Sequence, residues 1–281
     1  MSYKTILVHL NDARRAGPII DAARLVGEQN EAHLIGIYAV PTIAIGAPNR
    51  IGAGVIEIMR HRFHDEAAGI RAKFEEAMRG HAVTTEWRMV EAKSGMRDCG
   101  GLVADQARAV DLVIAAQSDP EWDDSGMLDF PDRLALESGR PTLIIPNAGR
   151  FPTLGSRVVV AWNASRESVR AVFDAMPLLV RAKAVTLLTI TRGRIPAEDL
   201  DSVPAADIAA ALARHGVKCE VQRTVAAGLE VEEELLSRAA DASADLIVMG
   251  CYGHSRLREL VMGGASRGIL AHMTAPVLMA H

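Results

Sequence analysis

Leu246-Ile247-Val248-Met249-Gly250-Cys251-Tyr252-Gly253, followed nine residues later by Gly263-Gly264-Ala265-Ser266, is the stretch that decides the fold. Its first four residues are apolar without alternation, which predicts a strand covered on both faces. Residues 265–272 predict a helix. Strand, glycine-spaced loop and helix start together make a place where backbone N–H groups can close around a phosphate. Glycine turns tightly and lets the chain approach a ligand closely. The helix start adds unpaired donors and the positive end of a dipole. Ser266 adds a hydroxyl donor.

Two familiar phosphate loops are excluded. No Gly-x4-Gly-Lys-Ser/Thr occurs, and Gly52-Ala53-Gly54 lacks the third glycine of the dinucleotide fingerprint and follows no predicted strand.

Working outward, the chain repeats itself. Thr5-Ile6-Leu7-Val8-His9-Leu10-Asn11 matches Arg157-Val158-Val159-Val160-Ala161-Trp162-Asn163. Asp111-Leu112-Val113-Ile114-Ala115 matches Asp245-Leu246-Ile247-Val248-Met249, and Arg140-Pro141-Thr142-Leu143-Ile144-Ile145 matches Ala275-Pro276-Val277-Leu278-Met279-Ala280. The first copy carries a longer insertion. The turn-forming run Pro146-Asn147-Ala148-Gly149-Arg150-Phe151-Pro152 marks a seam, which predicts domains at 1–148 and 152–281. Strands are predicted near 4–10, 32–38, 83–90, 111–116 and 141–145, then 157–162, 184–190, 218–224, 245–249 and 276–280. Helices are predicted near 14–29, 51–79, 98–109 and 132–138, then 165–180, 204–215, 229–240 and 265–272. This alternation, with strands read as apolar throughout, predicts parallel sheets covered by helices on both sides.

The 281 residues carry a net charge of −4, with 49% hydrophobic and 23% charged residues. That composition is ordinary for a globular protein. It gives no general basic surface for nucleic acid, and no apolar run has the length of a membrane span. The start runs from Met1 straight into a predicted strand, so no signal peptide is expected. Cys99, Cys219 and Cys251 share no metal-like spacing and fit a reducing, cytoplasmic setting.

The spacing Gly-x2-Gly-x9-Gly after a strand, within a repeated five-strand pattern, resembles the universal stress protein family in its ATP-binding members. The resemblance runs over nearly the whole chain. It implies two tandem doubly wound, five-stranded, Rossmann-like α/β domains of the adenine nucleotide alpha hydrolase type. It also implies an adenine nucleotide, ATP foremost, in the second domain, and a stress-sensing or regulatory role. Ala161, Trp162, Asn163 and the strand end at Thr189 and Ile190 would hold the adenine. Met249 and Gly250 would lie by the ribose. Gly253, His254, Gly263, Gly264, Ala265 and Ser266 would surround the phosphates, with Arg256, Arg258 and Arg267 nearby to offset charge. Two positions depart from the family pattern. Asn163 stands where the family usually has aspartate, which weakens the expectation of Mg2+ and of hydrolysis. Gly264 stands where a hydroxyl residue is usual. Slow ATP hydrolysis through His254 or Glu259, or a partner-binding module with an empty loop, remain alternatives.

In the first copy Ala116 and Asp119 replace Gly250 and Gly253, and Pro120-Glu121-Trp122-Asp123-Asp124-Ser125 follows. Carboxylates there would repel a triphosphate, so this half is read as degenerate. The last strands, around 143–145 and 277–279, are expected to pair the two halves pseudo-symmetrically, with a homodimer of the whole chain as a further expectation. His61, His64 and Asp65 are read as a solvated helix face before a metal site. His9 is read as a satisfied core histidine, and Cys251 as a partly exposed loop thiol.

Overall fold

The computed structural model describes residues 2–41, 53–92, 98–192, 205–251 and 264–281. Packing divides the chain into two compact units, Tyr3–Arg140 and Pro141–His281. The expected seam at 146–152 lies one strand beyond this division.

The first unit runs β1 (Thr5–His9), α1 (Ala16–Asn30), β2 (His33–Val40), α2 (Ala53–Met78), β3 (Thr84–Glu91), α3 (Cys99–Ala107), β4 (Leu112–Ala116), α4 (Ser125–Leu128) and α5 (Pro131–Glu137). Its strands lie in the order β3-β2-β1-β4, all parallel.

The second unit runs β5 (Thr142–Ile145), β6 (Arg157–Ala161), α6 (Arg166–Asp174), α7 (Met176–Leu179), β7 (Ala184–Arg192), α8 (Ala205–Arg214), β8 (Cys219–Ala226), α9 (Val231–Asp241), β9 (Leu246–Gly250), α10 (Gly264–His272) and β10 (Val277–Ala280). Its strands lie in the order β5-β10-β9-β6-β7-β8. Neighbours are parallel except β5, which pairs antiparallel with β10 through Leu143 opposite Leu278. The two terminal apolar runs of the sequence copies therefore do meet, and they do so inside this unit.

The central strands form because their side chains have nowhere polar to go. Leu246, Ile247 and Val248 are fully buried, as are Ile6, Leu7 and Val8. Each such side chain contributes about 1.5–3 kcal/mol of burial free energy. The outer strands differ from the expectation of apolar runs. β3 carries Glu86, Arg88 and Glu91, and β8 carries Glu220, Gln222 and Arg223; both are largely open to solvent. Each lies at the end of its strand order, with a neighbouring strand on one side only.

The predicted helix over 165–180 is broken in two at Ala175, where α6 ends and α7 begins. Pro177 has no N–H to donate to the preceding turn, so the helix cannot run through it, while proline suits the first turn of the next. Two residues past the end of α8, Gly216 has a φ of +83°, the left-handed conformation open to glycine. Its N–H donates to the Ala213 carbonyl at 2.9 Å, and Val217 donates back to Leu212 at 3.0 Å. α4 begins at Ser125, the last residue of the acidic stretch, where no helix was predicted.

Candidate functional site

β6 lies between β7 and β9. The chain leaves it toward β7 on one side, and β9 feeds α10 on the other, so the sheet's winding reverses beside β6. Ligands of open parallel sheets bind at such a point, outside the carboxyl ends of the strands. A cleft of about 510 Å3 opens there.

Nine of the twelve expected site residues line this cleft: Ala161, Trp162, Asn163, Ile190, Met249, Gly250, Gly264, Ala265 and Ser266. Gly253, His254 and Gly263 lie outside the described residues, as do Arg256, Arg258 and Glu259. Thr189 is buried, does not line the cleft, and its hydroxyl has no hydrogen-bond partner among the described residues. The strand alternates, so Ile190 faces the cleft and Thr189 does not. Arg267 is exposed and does not line it either.

Local sequence explains each wall. Trp162 is an extension of β6, its N–H donating to the Leu188 carbonyl at 2.8 Å. The chain then turns through Asn163, whose side-chain oxygen accepts the Ser165 N–H at 3.1 Å, and Ala164 at φ +57°. Ser165 caps α6, its hydroxyl accepting the Ser168 N–H at 3.1 Å. Asn163 is thus occupied in building the turn that starts the helix. On the other side, α9 begins with a capping box in which the Glu233 carboxylate accepts the Glu230 N–H at 3.0 Å.

The starts of α6, α9 and α10 all border the cleft through Ser165, Val231 and Gly264, and their dipoles favour negative charge in it. The same walls carry residues that the motif did not point to: Glu167, Ser168, Leu188, Arg192, Glu232 and Leu235. Arg192 is paired with Glu230 at 3.2 Å. Ser165-x-x-Ser168 after Asn163 is a helix-start signature that marks this wall in the sequence; nothing in the sequence marks Leu188 or Glu232 as neighbours of the glycine loop.

Cys251 corrects its sequence reading. It is fully buried rather than partly exposed, its Sγ lies 3.4 Å from the Ala280 carbonyl, and burial pushes the thiol up to about 12.

The matching corner of the first unit is filled by its own chain. Asp119 donates its N–H to Asp129 at 2.7 Å and pairs with Arg14 at 3.0 Å, while Arg14 also holds Asp12 at 2.8 Å. Leu128 and Phe130 are buried behind them. The space left is a cavity of about 20 Å3 lined by His9, Asp12 and Asp129 among others. His9 is in the core, its ring 4.6 Å from that of Phe130, and burial holds it down at about 4. Its Nε2 has no partner among the described residues, while Asn11 hydrogen-bonds the ring, so it is a core histidine satisfied only in part. Burial pushes Asp129 up to about 6. On α2, His61 is exposed and its Nδ1 bonds the Glu57 carbonyl at 2.8 Å. No cluster of three or more metal-ligating side chains occurs among the described residues.

The second unit is therefore a doubly wound α/β domain with a ligand-sized crevice at its switch point. Residues 156–281, the greater part of the second unit, match the model of the Universal stress protein family. Universal stress protein Slr1230 of Synechocystis sp. is 26% identical over 148 residues, covering 52% of this chain and 49% of that protein; the chain spans about half the length of this curated relative. The fold extends further. A universal stress protein from Archaeoglobus fulgidus superimposes with a TM-score of 0.72 at 14% identity, over 100% of this chain and 96% of that one. A functionally unknown protein from Pseudomonas aeruginosa PAO1 gives a TM-score of 0.59 at 16% identity, over 99% and 92%. Among the described residues no helix is long and apolar enough to cross a membrane.

Proposed function

We propose that the second unit binds an adenine nucleotide, ATP foremost, and that the protein serves as a nucleotide-dependent sensor or regulator rather than a committed enzyme. The observation that carries this reading is the cleft at the switch point. Its volume of about 510 Å3 falls in the range of about 300–1,000 Å3 typical of small-molecule sites. Its composition fits as well. Leu188, Ile190 and Leu235 give an apolar wall on the β7 side suited to a base, and the start of α10 gives N–H donors on the β9 side suited to phosphate. Mg2+ would arrive with the phosphates; the turn-forming role of Asn163 offers it no protein charge.

The test is calorimetric titration of the full chain with ATP, with native mass spectrometry of the purified protein for any ligand carried along. One site per chain is expected, because the first unit's matching cavity is about 20 Å3. No binding, or two equivalent sites, overturns the reading.

A further inference from the structure

Glu167 is the second residue of α6. It is 8% exposed, with a side chain 10% exposed, yet that side chain borders the cleft. No hydrogen bond among the described residues reaches its carboxylate. Its ion-pair contact is Arg166, whose nearer nitrogen is 3.6 Å away on a side chain 96% exposed, so water screens that pair. Among the described residues its acceptor oxygens are therefore left to water or to whatever occupies the cleft.

Its place along the cleft says which part of a ligand would donate to them. The wall runs from Ile190 on β7, past Ala161 on β6, to Gly250 on β9 and then Gly264 on α10. Glu167 sits over the end of β9: its Cβ lies 2.8 Å from where a Cβ of Gly250 would stand. That is the middle of the run, between the apolar β7 wall and the start of α10. In a nucleotide the middle is the sugar. We propose that Glu167 accepts hydrogen bonds from the ribose hydroxyls and makes the site select a free vicinal diol, an inference that rests on the nucleotide reading above. An ionised carboxylate accepts from two hydroxyls and donates to none, so it favours the diol and opposes a phosphate at the same position.

The experiment titrates the full chain with ATP and with 2′,3′-dideoxy-ATP, in the wild type and in Glu167→Gln, with and without Mg2+. The wild type binds the dideoxy nucleotide about tenfold or more weakly, the scale of a lost hydrogen bond to a charged group. Glu167→Gln weakens ATP by a similar factor and narrows the ratio between the two nucleotides. A wild-type ratio near one overturns the proposal whatever the variant does. So does a variant that keeps the wild-type ratio, or one that changes only the Mg2+ dependence, since the carboxylate then serves a cation. In each of these cases nucleotide binding itself survives. A folded wild type that binds neither nucleotide overturns the nucleotide reading together with this one.

Discussion

The Cα of Gly250 lies directly against the backbone of Glu167. A Cβ on Gly250 would stand 2.4 Å from the Glu167 carbonyl carbon and 2.5 Å from the Ser168 nitrogen, closer than backbone atoms can yield. The glycine that ends β9 is therefore required by the packing of α6 on the strand.

Gly250→Ala should push α6 off the end of β9 and lower stability by about 1–3 kcal/mol, the usual scale of overpacking. Gly264→Ala is the control: nothing lies within 4 Å of a Cβ there, and its stability should stay within about 0.5 kcal/mol of wild type or rise slightly. Thermal unfolding of the two variants side by side checks this; equal midpoints would refute the packing account.

Asp129 sets a pH dependence in the first unit. Burial raises its folded pKa to about 6 from 3.8. The folded state then binds the proton more tightly than the unfolded one, so Asp129 favours folding most below pH 4. That contribution is lost as pH rises toward 6. Asp129→Asn should remove this segment of the profile and raise stability at pH 7 by an amount on the order of 1–2 kcal/mol. Denaturant unfolding between pH 4 and 8 measures it, and parallel profiles for wild type and variant would contradict the assignment.

The thiols should react in a fixed order. Cys219 is part-exposed, whereas Cys99 and Cys251 are buried, and burial pushes Cys99 up to about 11 and Cys251 to about 12. At pH 8 the folded protein should label first at Cys219, with Cys251 slower by at least about a hundredfold. All three should label together once denaturant is added. Mass-resolved alkylation shows the order; early modification of Cys251 would mean that β9 and β10 open readily.

Asn163→Asp should leave the fold intact, because a carboxylate oxygen can accept the same Ser165 N–H that Asn163 accepts at 3.1 Å. It brings a further negative charge to a cleft already bordered by Glu167 and Glu232. Metal-free ATP binding should weaken several-fold, and Mg2+ should restore it. Titration with and without chelator is the measurement, and an unchanged affinity in both conditions would show that residue 163 does not face the phosphates.

Much of this was legible in the residues. The strands ending at Ala116, Ile145, Ala161 and Gly250 were placed within a residue or two, because long apolar runs between turn formers leave a folding chain little choice. The sequence predicts one helix over 165–180 through Pro177, and the structure breaks it at Ala175. The polar faces of β3 and β8 were missed because which strand ends a sheet depends on topology.

The sequence by itself determined the two-fold repeat, the alternation of strand and helix, and most of the cleft's wall, since those follow from local periodicity and from the rule that parallel sheets bind ligands at their carboxyl ends. Tertiary structure alone decided what the individual residues do there. Gly250 is held by a helix far from it in the chain, Cys251 is sealed under Ala280, and Glu167 borders the cleft with no hydrogen bond among the described residues. Each of these depends on contacts between segments remote in sequence, and residue type and spacing carry no record of which remote backbone will close over a side chain.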